Sequence, residues 1–390
     1  GTFNVNNGDL EIKQSGNSTF DGTTTGQGSL TKSDVGTLKI SNAQTFTGGL
    51  NVTGGTFETL TGGTLADTNA IHVFKDSTFI AGAVDTVGSV LVDAKGTGSS
   101  AGRFDMNANI TTQGDFENNG QLNLNANLTT ANTDSSTSTY GDFINNGTTT
   151  LASDRTITTA GGLIGTTTGI INVNNLGTDL TLNQTGNTTY SGTIVGVGSF
   201  IKTGNGNLTL NGVANSIDLG TTDSSTGTLV NAGTLTTAST NVFAEDQDIT
   251  VASGGTLHVK TGSQSVDTIT NSGIVNLDDD LTVRVLTNNL LATFNQEADI
   301  TSTNAIMNGN WNVEGEGDVN YTRVLNTTTL TGNATVTLKD YVSGLTTTAS
   351  HLKINQSGNS RFDGNIGGTG SVEKTGLGIL QISDVQTFAG

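Results

Sequence analysis

Cysteine and proline are both absent from the 390-residue chain, tryptophan occurs once, and aromatic residues make up 5% of it. Without cysteine there are no disulfides, thiolate nucleophiles or thiolate metal sites, so packing and hydrogen bonds alone must hold the fold. A chain of this length at ordinary usage carries about 20 prolines. Their absence points to a backbone in which nearly every amide hydrogen is needed as a donor, as in a long ladder of strands. Basic residues are also scarce, 15 Lys and Arg against 34 Asp and Glu, for a formal charge of -19. Nucleic-acid binding by counterion release therefore has no electrostatic support. No apolar run reaches the roughly 18 residues of a membrane-spanning helix, so no membrane span is expected. The opening GTFNVNNGDL has neither the basic start nor the apolar centre of a secretory signal. Hydrophobic residues reach only 32%, which argues against a thick globular enzyme core.

What fills the chain instead is Gly, Thr, Asn and Ser arranged in repeats. LEIKQSGNSTFDGTTTGQGSLTK at 10–32, LTLNQTGNTTYSGTIVGVGSFIK at 180–202 and LKINQSGNSRFDGNIGGTGSVEK at 352–374 align without gaps. They define a long unit of roughly 171 residues, occupying about 1–170 and 171–341, with a truncated third copy at 342–390. The first and third copies share about 22 of 39 positions when continued to Gly48 and Gly390. Because the chain opens on Gly1 without Met and stops inside a copy, a mature segment or fragment of something longer is expected.

A shorter period lies inside the long one: GDFENNGQLNLNANLTT from Gly114 and GDFINNGTTTLASDRTITT from Gly141 start roughly 27 residues apart. Apolar residues alternate with polar ones, as at Leu10 and Ile12, Leu38 and Ile40, or Leu208 and Leu210. That is a strand period, and Asn-Gly, Asn-Asn-Gly and Gly-Gly turns punctuate it. Short strands in rungs of this length, with no helix to carry a crossover, bury their apolar side when the chain coils and each strand pairs in parallel with the next rung. The expected fold is thus all-β, a right-handed parallel β-helix, or β-solenoid, continuous over 1–390. At about 22 residues a rung and about 4.8 Å between rungs it would have roughly 18 rungs and a length of about 85 Å. Stacked Asn side chains would form amide ladders. The competing architecture is a string of antiparallel sandwich domains, which usually repeat at about 100 residues and fit these periods less well.

From Gly26 to Phe57 the chain reads GQGSLTKSDVGTLKISNAQTFTGGLNVTGGTF, which resembles the passenger-associated repeat of bacterial autotransporters and adhesin-like surface proteins. Gly26, Gly28, Leu30, Lys32, Gly36, Leu38 and Ile40 match its rough G-x-G-x-L-x-K-x-G-x-G-x-L-x-L core, followed by Thr45, Phe46, Gly48, Gly49, Gly55 and Thr56. The second copy matches at Gly196, Gly198, Lys202, Gly204, Gly206, Leu208 and Leu210, and the third at Gly368, Gly370, Lys374, Gly376, Gly378, Leu380 and Ile382. These windows cover about a third of the chain. The resemblance implies a β-helical passenger exported across an outer membrane to the cell surface or beyond, where such segments serve in adhesion or aggregation. It implies no catalytic residue.

Candidate chemistry is sparse. In WNVEGEGD at 311–318, alternation places Glu314, Glu316 and Asp318 on one face, where they would bind Ca²⁺ or divide acid and base roles, with Trp311 stacking on a sugar ring. A solvated strand face beside a partly buried Trp311 explains the same pattern. Asp278, Asp279 and Asp280 offer a second Ca²⁺ reading, centred on Asp278 and Asp280 and with Arg284 as an alternative partner, against that of a solvated turn. His72, His258 and His351 are isolated and read as surface rung residues. Lys32, Lys202 and Lys374 occupy equivalent positions, where an outward charge would discourage wrong edge pairing. The glycines around 196–206 lack the G-K-[ST] ending of a phosphate loop and read as turn glycines.

The sequence therefore favours a non-enzymatic extracellular stalk or passenger segment that supplies length and a repetitive adhesive surface. No cofactor is expected apart from Ca²⁺ at irregular sites. Expected partners are further chain or a second copy at both ends, in the limit head-to-tail fibres, together with cell-surface glycans or host surfaces. The alternative is a carbohydrate-active β-helix enzyme, lyase-like or hydrolase-like, with its site at Glu314 to Asp318.

Overall fold

The structure, a computed structural model, describes all residues except 7, 132–140, 220–226, 315–322, 340, 344–345, 349–350 and 389–390, and no side chain at 314, 339, 341–343 or 346–348. The described residues contain no helix. The chain forms two compact units, Gly1–Phe200 with Gly204–Leu208, and Ile201–Thr203 with Thr209–Gly390. Each is a parallel β-solenoid.

In the first unit Leu30, Leu50, Ile71, Val90, Phe116 and Phe143 stand in one column of parallel partners, each a rung beyond the last. In the second, Leu257, Val275, Phe294, Trp311 and Val336 do the same. This parallel ladder excludes the antiparallel sandwich. Tyr341–Ser343 and Thr346–Thr348 form an antiparallel hairpin.

Two-residue alternation decides the faces. In Leu50–Val52 the outer two side chains are buried and Asn51 is half-exposed, and Gln121–Leu124 repeats the scheme with Leu122 and Leu124 inside. Because consecutive rungs stack residue on residue, like side chains meet. Phe57, Phe79 and Phe104 stack with ring centroids 5.7 and 4.8 Å apart, and Phe104, Phe116 and Phe143 continue edge to face at 5.3 and 6.0 Å. Such pairs add to the area they bury.

Polar residues enter the interior at the corners. Asn118 Nδ2 donates to Asn145 Oδ1 at 3.0 Å in the first unit, and Asn271 Nδ2 to Asn288 Oδ1 at 2.8 Å in the second, which realises the expected amide ladders. Buried glutamines close other corners: Gln44 accepts the Thr24 amide at 2.7 Å and donates to the carbonyls of Gly22 and Asn42, while Gln264 accepts from Val242 and donates to Ser239 and Gly262. These corner amides are satisfied by partners in their own turn and in the neighbouring rung, which is what lets them lie in the interior.

Candidate functional site

Two of the three repeat lysines are buried. Lys32 lies on the same face of Leu30–Ser33 as Leu30 and is fully buried. Its ammonium donates to the carbonyls of Ser33 and Asp34, each at 2.8 Å, and of Gly54 on the next rung at 3.0 Å. Lys202 is buried likewise and donates to Thr203 O at 2.7 Å and Ala232 O at 3.5 Å. Burial lowers the pKa of Lys32 and brings that of Lys202 down to about 8. Lys374 donates to Thr375 O at 2.6 Å and Gly378 O at 2.8 Å, but is exposed. For Lys32 and Lys202 the expected outward charge is thus corrected, because strand alternation outweighs the preference of an ammonium for water once a cage of carbonyls receives it. The turn after each lysine holds a left-handed residue, Asp34 in the first copy and Gly204 and Gly376 in the others.

The histidines sit on outer faces, each beside an acid of the following rung. His72 is in register with Leu91 and its Nε2 lies 2.8 Å from Asp93 Oδ1; His258 is in register with Asn276 and lies 2.7 Å from Asp278 Oδ2. His351 is in register with Ser371, with which it is hydrogen-bonded, and lies 3.7 Å from Glu373. His72 also stacks on Phe74, centroids 3.7 Å apart.

The Asp278 to Asp280 run is divided among three tasks. Asp278 faces His258, Asp279 accepts the Gly262 amide at 2.8 Å, and Asp280 accepts the Asp299 amide at 3.0 Å. Arg284 pairs not with these but with Asp267, through Nε at 2.5 Å and a second nitrogen at 2.7 Å, which lowers the Asp267 pKa. Glu314 ends the strand Asn310–Glu314, but its side chain, Glu316 and Asp318 lie outside the described residues. Trp311 is buried, with Nε1 donating to Gln296 Oε1 at 3.0 Å, so its ring is closed to a sugar. Among the described residues no group of three or more His, Asp or Glu is arranged to hold a metal ion.

Sequence reasoning missed two features. Asp85, at the start of Asp85–Val87, is buried and accepts the amides of Leu65 and Thr86, each at 3.0 Å, and burial raises its pKa to about 6. The other is a polar cleft of about 590 Å³ on the side of the first unit. The rung from Val90 to Phe116 is longer than the one before it, from Ile71 to Val90, and its extra length, 94–101, forms a wall. The Asp76 amide donates to Ser100 O at 3.3 Å and Asp76 Oδ1 accepts the Ser100 amide at 2.6 Å, which pins this wall to the previous rung. Lys75, Asp93 and Lys95 line the cleft together with Asn119, Asn146, Thr166 and Thr168, which come from three successive rungs.

Those amides are held in fixed orientation. Asn119 Nδ2 donates to Glu117 Oε1 at 2.7 Å, Asn146 Nδ2 to Asn119 Oδ1 at 2.9 Å, and the Thr166 amide to Asn146 Oδ1 at 2.9 Å. Each carboxamide keeps one N–H and one lone pair for a further partner. The sequence signal for the cleft was the small-residue run GTGSSAG at 96–102 lengthening one rung.

No family model, curated protein or solved structure matches the chain.

Proposed function

We propose that this chain is a non-enzymatic structural and adhesive β-solenoid, a stalk or passenger segment at a bacterial surface that joins head to tail with further copies. The observation that carries the reading is where the chemistry-bearing side chains go. Lys32, His72, His258 and Asp280 bond the next rung, and Asp279 and Arg284 the rung before. Such groups hold rungs in register, which is what a rigid extended element requires.

Ile40 and Ile382 are equivalent in the repeat. Ile40 is 0% exposed beneath the strand Gly55–Thr59, whereas Ile382 is 37% exposed. Lys32 and Lys374 differ in the same sense. The inward face of the repeat is apolar at this rung, so a following rung, from the same chain or from another, would pack on Ile382 as Gly55–Thr59 packs on Ile40. With a charge of -19, rods repel sideways at low salt and are spaced apart, and cations reduce that repulsion.

Negative-stain imaging of the purified chain with and without Ca²⁺ tests the proposal. Filaments of constant width are expected; uniform short rods at high concentration would reject head-to-tail joining. Depolymerisation of an acidic polysaccharide by the same preparation would reject the non-enzymatic part.

A further inference from the structure

We infer that the cleft lined by Lys75 and Lys95 binds an anionic glycan strand, carboxylated or sulfated. This deepens the adhesive half of the reading above and is independent of how the ends join.

Charge is the first argument. The chain has 15 basic residues among 390, and Lys32 and Lys202 are buried in carbonyl cages. Two exposed lysines at one cleft in so acidic a protein stand out, although Asp93 lines the cleft with them. Neither ammonium has an ion pair or hydrogen bond among the described residues, and the acids around them are otherwise engaged. Asp93 faces His72, Asp76 takes the Ser100 amide, and Glu117 takes Asn119. The lysines thus remain open to an external anion.

Geometry is the second. Lys75 lies along the wall, since a Cβ on Gly96 would stand 3.0 Å from its Nζ, and the wall is itself pinned by Asp76. Asn119, Asn146 and the Thr166–Thr168 turn repeat along the axis at the rung spacing, so their donors and acceptors extend over roughly 10 Å, the reach of two or three sugar rings. Thr166 and Thr168 hydroxyls are 2.9 Å apart, and Thr168 donates to Asn146 O at 2.9 Å. A row of pre-oriented amides and hydroxyls matches ring hydroxyls, while the two lysines supply the counter-charge for a carboxylate or sulfate. An acidic peptide fits less well, because the lining has no apolar pocket to anchor a side chain and no open strand edge for its backbone.

The test is calorimetric titration of the whole chain at low and moderate salt with oligogalacturonate, a sulfated glycosaminoglycan oligosaccharide, a neutral dextran oligosaccharide and a polyglutamate peptide of similar charge. Saturable binding of one or both anionic glycans is expected, weakened by salt, with dextran and polyglutamate at least tenfold weaker. Which glycan binds identifies the anionic group. The pair Lys75→Gln and Lys95→Gln should reduce affinity at least tenfold, while Lys13→Gln with Lys260→Gln, exposed lysines that do not line the cleft, should change it less than twofold. Circular dichroism of each variant checks that the fold is retained. Absence of saturable binding of either glycan at millimolar concentration overturns the inference, as does equal loss in the control pair. Polyglutamate binding as tightly as the glycans overturns it in favour of an acidic peptide. Filaments without glycan binding would reject this site alone, and glycan binding by uniform short rods would reject end joining alone.

Discussion

The Lys32 ammonium donates to the carbonyl of Gly54, one rung further along the chain, while also holding the carbonyls of Ser33 and Asp34 in its own turn. One buried cation thereby ties a turn to the rung stacked on it. Substituting Lys32→Met keeps the apolar stem but removes the donor, leaving three carbonyls short of a partner. A loss of about 1–3 kcal/mol is expected, the usual cost of a buried polar group left unsatisfied. The urea midpoint and faster amide exchange at Thr56 would report it. Lys374→Met, at the exposed copy of the same turn, should cost less. Equal or greater stability of Lys32→Met would show that the cage is not a fastening.

Asp85 sets an acid-side dependence. Its carboxyl is buried and its folded-state pKa is raised to about 6 from an ordinary 3.8, chiefly by desolvation, with Asp67 adding in the same direction. A raised carboxyl pKa means that the folded state binds the proton more tightly than the unfolded state. The stabilisation is fully present below about pH 3.8 and is lost as pH rises through about 6. Asp142 and Asp299, also raised by burial, act with the same sign. Melting temperature should therefore increase from about pH 7.5 to about pH 5. Relief of general repulsion adds to this in any acidic chain, so the informative quantity is the difference from Asp85→Asn, whose slope across this window should be shallower. Parallel slopes would remove Asp85 from the account.

Asn145 joins two levels of the first unit. Its Oδ1 accepts from Asn118 at 3.0 Å and Thr149 at 2.8 Å, and its Nδ2 donates to Ile170 O and Tyr190 Oη, both at 3.2 Å. Burial also raises the Tyr190 pKa, so the phenol stays neutral and needs that partner. Asn145→Ala removes the nearest acceptor of the Asn118 amide, which keeps only the longer contacts to Thr148 O at 3.2 Å and Thr149 Oγ1 at 3.3 Å, and takes a donor from Ile170 O in a closed interior; a loss of about 2–4 kcal/mol is expected. Asn125→Ala removes an exposed amide pair to Asn107 and should stay within about 0.5 kcal/mol. Thermal melts of both variants decide the comparison.

Alternation at Leu10 and Ile12 or Leu38 and Ile40, with Asn-Gly turns and a short internal period, was enough to read the parallel solenoid, because each strand's inward face depends on local spacing alone. The same rule puts Lys32 on the face of Leu30; charge argued for the opposite face, and only the carbonyl cage from 33, 34 and 54 explains why alternation wins. The histidine partners were hidden for another reason. Asp93, Asp278 and Glu373 each stand one rung beyond His72, His258 and His351, a separation that gains meaning only when the register is known. The cleft was least legible. It joins 75, 95, 119, 146 and 166–168 across rungs of unequal length, so no fixed sequence interval connects its residues.

End joining has a sharp test because the repeat provides its own control. Ile382 and Val35 are both exposed, but for different reasons. Val35 is 77% exposed at the tip of the turn after Lys32, on the flank of a covered rung, whereas Ile382 occupies an inward position of the repeat with no described rung over it. Its counterpart Ile40 is in register with Thr59 of the next rung. A carboxylate at Ile382 would have to be buried, unpaired, if another copy stacked there, at a cost of several kcal/mol. A carboxylate at Val35 meets only water. Ile382→Asp should therefore abolish filaments in negative stain and reduce the mass seen by light scattering to that of single chains, while Val35→Asp assembles as before. If both variants assemble, the contact does not pass through this rung face; if neither does, added negative charge in a chain already at -19 opposes association wherever it is placed, and assembly of Val35→Asp should then return as salt is raised.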